Sequence, residues 1–104
     1  MIVEERDYHI HTGKLSELVR LYETEGIPIQ EEILGRLLGA FTTDIGALST
    51  YTHLWAYESH GERAERRARL GADERWRAFL PKIQPLIHTQ QNRILVPTAF
   101  SPIR

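Results

Sequence analysis

A single nine-residue stretch, Tyr51–Ser59, constrains the fold of this chain more than any other part of its sequence. Read as a strand, it places alternate side chains on opposite faces of a sheet. One face is then aromatic and the other small and apolar: the first carries Tyr51, His53, Trp55 and Tyr57, and the second carries Thr52, Leu54 and Ala56. The small face suits close packing against helices, whereas the aromatic face requires a cover. We therefore expect a second copy of the chain to cover the aromatic face, with a pocket between the copies.

Length, composition and charge exclude several kinds of site and partner. A length of 104 residues suits one domain that spans residues 1–104. The absence of cysteine excludes disulfides and thiolate metal sites. A formal net charge of -1 gives no overall attraction to nucleic acid or to anionic membranes. No apolar run approaches the roughly 18 residues that span a bilayer. We expect a cytoplasmic protein with no nucleic-acid partner and no membrane insertion.

The first half of the chain predicts one strand followed by helix. Residues 2–10 alternate charged and apolar side chains, which is typical of a strand. From Lys14 to about Glu25, apolar residues recur at helical spacing, and Gly26 is expected to end that helix. Residues 27–34 predict a second, short helical piece.

A pair of antiparallel strands follows. Residues 36–43 predict a second strand that is interrupted at Gly39, and residues 50–58 predict the third. The connection between them contains the Asp and Gly that tight turns favour, so the two strands should pair antiparallel.

Two helices and a strand complete the chain. Ser59 precedes Glu62 by three residues, the spacing of a capping box, and opens a helix that should run through Leu70 and close at Gly71. Asp73 is expected to cap another helix, which Pro81 should kink or interrupt.

A last strand is predicted over residues 91–97. The resulting order is strand, helix, strand, strand, helix, strand. This order is typical of the ferredoxin-like α+β fold, a four-stranded antiparallel sheet with helices on one face. In that topology the first and third strands are neighbours in the middle of the sheet.

Several segments together carry a family resemblance: Ile2-Val3-Glu4-Glu5-Arg6-Asp7-Tyr8 with Thr12-Gly13-Lys14, Leu38-Gly39-Ala40-Phe41-Thr42 with Ile45-Gly46, His53-Leu54-Trp55-Ala56-Tyr57-Glu58-Ser59, and Asn92-Arg93-Ile94-Leu95. They resemble the NIPSNAP family over essentially the whole chain. The resemblance implies a homodimeric α+β barrel in which two ferredoxin-like sheets face one another. Related barrels include cofactor-free monooxygenases and haem-binding enzymes, so the resemblance is compatible with catalysis and specifies no reaction.

Six residues on the central strands form the predicted site. Three of them, Glu4, Arg6 and Tyr8, share a face of the first strand, which we expect to point into the barrel beside His53, Trp55 and Tyr57. The ligand-binding candidates are Glu4, Arg6, Trp55 and Tyr57, and the catalytic candidates are His53 and Tyr8. A guanidinium suits an acidic or carbonyl group, aromatic rings suit a flat ligand, and histidine exchanges protons near neutral pH.

Two functions fit this set of residues. The first is binding of a small flat or acidic molecule in a cavity between the sheets, with cofactor-free monooxygenase chemistry as an extension. The second is a structural or protein-interaction module whose dimer interface uses the same residues, because interfaces favour Tyr, Trp and Arg.

Other motifs give weaker signals. His9 and His11 have metal-like spacing but no third ligand, and no spacing selects among His53, His60 and His88 as a haem ligand, so we expect neither metal nor haem. The arginine series from Arg63 to Arg77 is interleaved with carboxylates, which favours a solvated, internally paired helix surface.

Overall fold

A computed structural model describes all 104 residues. The elements in chain order are β1 (Ile2–Ile10), α1 (Leu15–Leu21), a π-helical turn (Tyr22–Gly26), α2 (Ile27–Ile33), β2 (Arg36–Thr42), β3 (Thr50–Tyr57), α3 (His60–Ala72), α4 (Glu74–Ile83), a 3-10 turn (Gln84–Leu86) and β4 (Ile87–Leu95). No helix combines the length and the apolar character that a bilayer span requires.

The four strands form one antiparallel sheet in the order β2-β3-β1-β4. The strands β1 and β3 are therefore the central pair, as predicted. Their register sets Glu4 opposite Trp55 and Arg6 opposite His53. The predicted ferredoxin-like α+β fold is confirmed, and so is the prediction that these side chains share one face.

The helices cover the aromatic face of the sheet. His53 and Trp55 are fully buried, and the helix-borne rings of Tyr22 and Phe79 belong to the same core. The prediction that a second copy covers this face is wrong, because the chain's own helices cover it. Alternation decides which side chains share a face, but it cannot decide which face the helices occupy. The open face carries the small residues instead, among them the partly exposed Leu54.

Several boundaries differ from the predicted ones. Gly26 has helical backbone angles and does not end a helix, because the chain continues through the π-helical turn into α2. The strand β4 begins at Ile87 rather than at residue 91, and α3 continues past Gly71 to Ala72. Pro81 lies inside α4 without ending it.

The helix caps predicted at Ser59 and Asp73 are confirmed. The Ser59 hydroxyl accepts a hydrogen bond from the Glu62 amide at 3.1 Å. The Asp73 carboxylate accepts hydrogen bonds from the amides of Arg75 and Trp76. These short polar side chains satisfy amides that a helix start leaves unpaired.

The side chains packed around Gly26 leave no room for a larger residue at this position. A Cβ atom at this position would lie 2.7 Å from Cζ of Phe79 and 2.8 Å from Cδ1 of Tyr22. Both rings are buried, so neither can move aside freely.

We predict that Gly26→Ala lowers the free energy of unfolding by about 1–3 kcal/mol, the usual cost of overpacking a core. Gly71→Ala is the matched control, because a Cβ there meets nothing within 4 Å. That control should raise stability by up to about 1 kcal/mol through helix propensity. Urea titration measures both variants, and equal effects of the two substitutions would contradict the close-approach explanation.

Candidate functional site

A fully buried carboxylate, Glu4, lies at the centre of the site. Its Oε2 atom accepts three hydrogen bonds, from Arg6 Nη1 at 3.0 Å, Arg63 Nη2 at 2.7 Å and Asn92 Nδ2 at 2.7 Å. The donors come from β1, α3 and β4, so this one oxygen atom joins three elements.

The environment keeps Glu4 ionised. Burial alone would raise its pKa, but the hydrogen bonds from Arg63 and Asn92 and the charge of Arg6 outweigh burial and lower the pKa to about 2. Glu4 is therefore a permanent anion at neutral pH.

Arg6 connects Glu4 to an aromatic cluster. Its Nε atom donates to the Tyr8 hydroxyl at 3.0 Å, and its side chain is only 13% exposed. The Tyr8 ring lies edge-on to His53, with centroids 5.1 Å apart. The polar network thus continues into a layer of packed rings.

His53 is a buried and neutral imidazole. Trp55 Nε1 donates to its Nδ1 atom at 2.9 Å, so the ring proton lies on Nε2. Burial, followed by the charges of Arg6 and Arg67, lowers the His53 pKa to about 3. The expectation that His53 exchanges protons near neutral pH is therefore wrong, because its burial beside two guanidiniums disfavours the protonated ring.

The cluster has more positive than negative charge. One carboxylate, Glu4, pairs with Arg6 and Arg63 and also acts on the charge of the nearby Arg67. Burial, and then the charge of Arg6, lower the Arg67 pKa, yet arginine stays protonated at neutral pH. We call Glu4, Arg6, Arg63 and Arg67 the arginine cluster.

Several polar atoms in and beside the arginine cluster are buried without a hydrogen-bond partner. They are Glu4 Oε1, His53 Nε2, Tyr57 Oη, Arg63 Nε and Arg67 Nη1. In folded proteins most buried polar atoms form hydrogen bonds with other protein groups or with water. Each of these five unpaired atoms is therefore available to bind a ligand or a water molecule. Four of these five atoms carry a proton to donate, which suits a ligand that accepts hydrogen bonds.

The structure brings all six predicted site residues together, but beneath the helices rather than between two sheets. Sequence reasoning missed Arg63, Arg67 and Asn92. The interpretation of the arginine series as a solvated surface is wrong for Arg63 and Arg67, which face the sheet. It holds for Arg66, which pairs with Glu62 at 2.9 Å. The four-residue spacing of Arg63 and Arg67 could have indicated their shared role, since it places both side chains on one helix face.

The paired histidines lie apart from this site. His9 is on the open face of β1, and the ring of His11 lies 5.0 Å from that of His88. No group of three or more His, Cys, Asp or Glu side chains comes together in a way that could hold a metal ion.

The buried His53 predicts a pH dependence of stability. The unfolded chain binds a proton at this position below about pH 6.5, whereas the folded chain does so only near pH 3. The neutral ring therefore contributes stability above pH 6.5 that is lost as the pH falls toward 3. Between pH 6.5 and 4.5 the loss should approach about 2–3 kcal/mol, at about 1.4 kcal/mol per pH unit.

Urea titrations at several pH values across this window test the prediction. His53→Gln should flatten the slope of unfolding free energy against pH. His60→Gln, at an exposed histidine, should leave the slope as in the wild type. Equal slopes for His53→Gln and the wild type would contradict the assignment.

Comparison with known proteins identifies the family. The family model described as NIPSNAP matches residues 3–102. Protein NipSnap homolog 1 of Danio rerio is 31% identical over 103 residues, which are 99% of this chain and 36% of that relative. This chain therefore spans about a third of that protein's length.

Solved structures agree with this match. The crystal structure of a NIPSNAP family protein from Agrobacterium tumefaciens shares 54% identity and superposes with a TM-score of 0.97 over 99% of this chain and 98% of that one. An antibiotic biosynthesis monooxygenase superposes with a TM-score of 0.65 at 13% identity over 94% of this chain and 99% of that one, a likeness of fold alone. The resemblance noted in the sequence is thus confirmed, and the chain belongs to the NIPSNAP family.

Proposed function

We propose that this protein binds a small acidic molecule at the arginine cluster. The observation that carries the proposal is the charge imbalance of the cluster, in which three guanidiniums accompany one buried carboxylate. A partly buried guanidinium without an anionic partner is costly, and an anionic group would offset that cost. The site lies inside one chain, beneath the helices, rather than between the sheets of two chains.

The hydrogen-bond donors of the site suit a carboxylate. A guanidinium presents paired N–H groups that match the two oxygens of a carboxylate. Arg67 Nη1, His53 Nε2 and the Tyr57 hydroxyl are buried without partners and can donate to such a group. Burial and the charge of Glu4 raise the Tyr57 pKa, so its hydroxyl keeps its proton.

Binding is favoured over cofactor-free oxygenation by the state of His53. A general base works best when its pKa is close to the working pH. A pKa of about 3 makes His53 a weak base, and its Nε2–H group is a donor rather than an acceptor. His53 and Tyr8 then serve to position a ligand. Cofactor-free monooxygenase activity is the second candidate function, and the shared fold supports it.

We predict that Arg67→Met weakens the binding of acetate, used as the simplest carboxylate probe. Removal of one charge-assisted contact, worth about 1.5–3 kcal/mol, should weaken binding at least tenfold. Arg69→Met is the matched control, because Arg69 is exposed on the same helix. Thermal unfolding with increasing sodium acetate, against sodium chloride at equal ionic strength, reports the binding.

Arg67→Met should also leave the acetate-free protein at least as stable as the wild type, because it removes a partly buried guanidinium whose Nη1 atom has no partner. Two results would contradict the proposal. One is stabilisation by acetate that is unchanged in Arg67→Met, and the other is a large loss of stability in that variant without acetate.

We further propose that a second copy of the chain binds the open face of the sheet. This face and the C-terminal segment form an apolar cavity of about 410 Å³, lined by Val3, Leu38, Phe41, Leu54, Leu95 and the chain beyond them. Phe41 is 57% exposed, Val96 75% and Ile103 44%. Adjacent exposed apolar side chains are typical of an interface, and a twofold pairing would bury the same patch on both copies.

We predict that Leu54→Arg shifts the protein from dimer to monomer, because it places a charge within the proposed apolar interface. Ala68→Arg, on the exposed surface of α3, should leave the dimer intact. Sedimentation velocity at micromolar concentration distinguishes the two states. A wild-type protein that sediments as a monomer would overturn this proposal.

A further inference from the structure

The strand β2 is one of the two free edges of the sheet, because the strand order is β2-β3-β1-β4. The backbone N–H and C=O groups on the outer side of an edge strand have no strand partner, and proteins usually protect them with charged side chains or proline. Residues 37–42 of β2 contain neither a charge nor a proline, whereas the other edge, β4, carries Arg93 and several amide side chains. The edge of β2 is therefore open to pairing with another strand.

The second half of β2 is regular and is not covered by the helices. After a bulge near its start, the register with β3 is unbroken from Gly39 to Thr42. Ala40 lies opposite His53 and Thr42 opposite Tyr51, so both side chains point to the helix side of the sheet. Both are nevertheless exposed. The helix layer therefore ends before it reaches this part of the strand.

A groove runs between this part of β2 and the helical segment of α1 and the π-helical turn. It consists of two adjoining cavities of about 480 and 370 Å³, which share Val19, Glu23 and Thr42. The larger cavity is mainly apolar, and its other lining residues include Tyr22, Ile27, Leu37, Ala40 and Tyr51. The smaller cavity is lined mainly by polar residues. We call the two cavities together the edge groove.

Two charged side chains flank the polar end of the edge groove. Arg20 and Glu23 are both exposed, and neither takes part in a salt bridge. Arg20 lines only the smaller cavity, whereas Glu23 lines both and is the one charged residue that borders the apolar cavity. An apolar side chain followed by a basic one therefore matches the groove in shape and in charge.

We infer that the edge groove binds an extended segment of another protein, which adds to β2 as a fifth strand. The helix-side residues of such a strand lie about 7 Å apart. An apolar side chain opposite Ala40 enters the larger cavity, and a basic side chain opposite Thr42 pairs with Glu23. Antiparallel pairing, which prevails in this sheet and in sheets generally, makes the basic residue precede the apolar one by two positions.

Strand addition explains both features of the site. In this mode of peptide recognition the backbone hydrogen bonds give affinity, and pockets for alternate side chains give specificity. A small molecule in the larger cavity would leave the edge of β2 unpaired. The edge groove shares no residue with the arginine cluster, so the inference does not depend on the proposed function.

A second copy of this chain lacks the matching strand. Its free edges are again β2 and β4, and their helix-side residues include Leu37, Ala40 and Thr42 of β2 and Gln90, Asn92 and Ile94 of β4. None of these residues is basic, so neither edge places a cation beside Glu23. The occupant is therefore a segment of a different protein.

Synthetic peptides test this inference by NMR titration of the ¹⁵N-labelled chain. The probe is the acetylated and amidated hexapeptide Thr-Lys-Thr-Phe-Thr-Val, in which lysine precedes phenylalanine by two positions. It should bind and shift the amide signals of residues 39–42. Replacement of its lysine by glutamate should weaken binding at least tenfold, because repulsion by Glu23 replaces attraction.

N-methylation of the peptide distinguishes strand addition from the docking of a side chain alone. An added antiparallel strand turns the N–H groups of alternate residues toward its neighbour. Two versions of the probe carry N-methyl groups on the odd-numbered or on the even-numbered residues. One version should lose affinity at least tenfold, and the other should bind as the parent does.

Variants of the protein locate the site. Ala40→Leu, which narrows the larger cavity from an exposed position, should weaken binding at least tenfold, whereas Ala68→Leu on the exposed surface of α3 should not. Glu23→Gln should reduce the preference for lysine over glutamate in the probe. Glu17→Gln is its matched control, because Glu17 is exposed on α1 outside the edge groove.

Four results would overturn the inference. They are failure of the parent peptide to bind, equal affinities of the two N-methylated versions, unchanged binding in Ala40→Leu, and release of a smaller species from a larger assembly when the peptide is added. The second result would mean that the groove takes a side chain without strand addition. The fourth would assign the edge groove to a second copy of the chain.

Discussion

The rest of the structure depends on the three hydrogen bonds accepted by one oxygen atom of Glu4. They tie the central strand β1 to its neighbour β4 and to the helix α3 that covers the sheet. A carboxylate with no solvent exposure is stable only with such partners. Without it, the guanidiniums of Arg6 and Arg63 would face each other with no anion between them. The same bonds hold the donors that we assign to a ligand.

A layer of rings packs beside this polar centre. Tyr8, Tyr22, Tyr51 and His53 contact one another at centroid distances between 4.8 and 6.4 Å. Rings fill the gap between sheet and helices where the layers are well matched. Toward β2 the helix layer ends before the sheet does, which leaves an apolar cleft there that Tyr22 and Tyr51 line.

The proposed ligand site and the proposed dimer interface lie on opposite faces of the same strands. Along β1, Glu4 and Arg6 point toward the helices, whereas Glu5 points to the open face and pairs with Arg93. Along β3, His53 faces the helices and Leu54 the open side. Because side chains alternate, dimerisation and ligand binding use different residues of the same backbone. Substitution of Leu54 can therefore affect dimerisation without ligand binding, and substitution of Arg67 can do the reverse.

Much of the fold was predictable because its signals are local. Helix caps such as Ser59 and Asp73, the alternation in β1 and β3 and the order of elements are all set by residues close in sequence. The placement of Glu4, Arg6 and Tyr8 beside His53 and its strand neighbours also followed, since the topology makes β1 and β3 neighbours. The register that sets Arg6 opposite His53 did not. Contributions from distant segments did not follow: Arg63 and Asn92 approach Glu4 from 59 and 88 residues away. The spacing of Arg63 and Arg67 places them on one helix face, but it does not show that this face meets Glu4.

The sequence by itself determined which side chains share a face, because alternation is a property of the extended backbone. Only the tertiary structure decided which face the helices bury, because that depends on the direction in which each connection crosses the sheet. The same decision fixed the chemistry of His53. Burial beside arginines makes it a neutral donor, whereas an open cleft would have left it free to titrate near neutral pH.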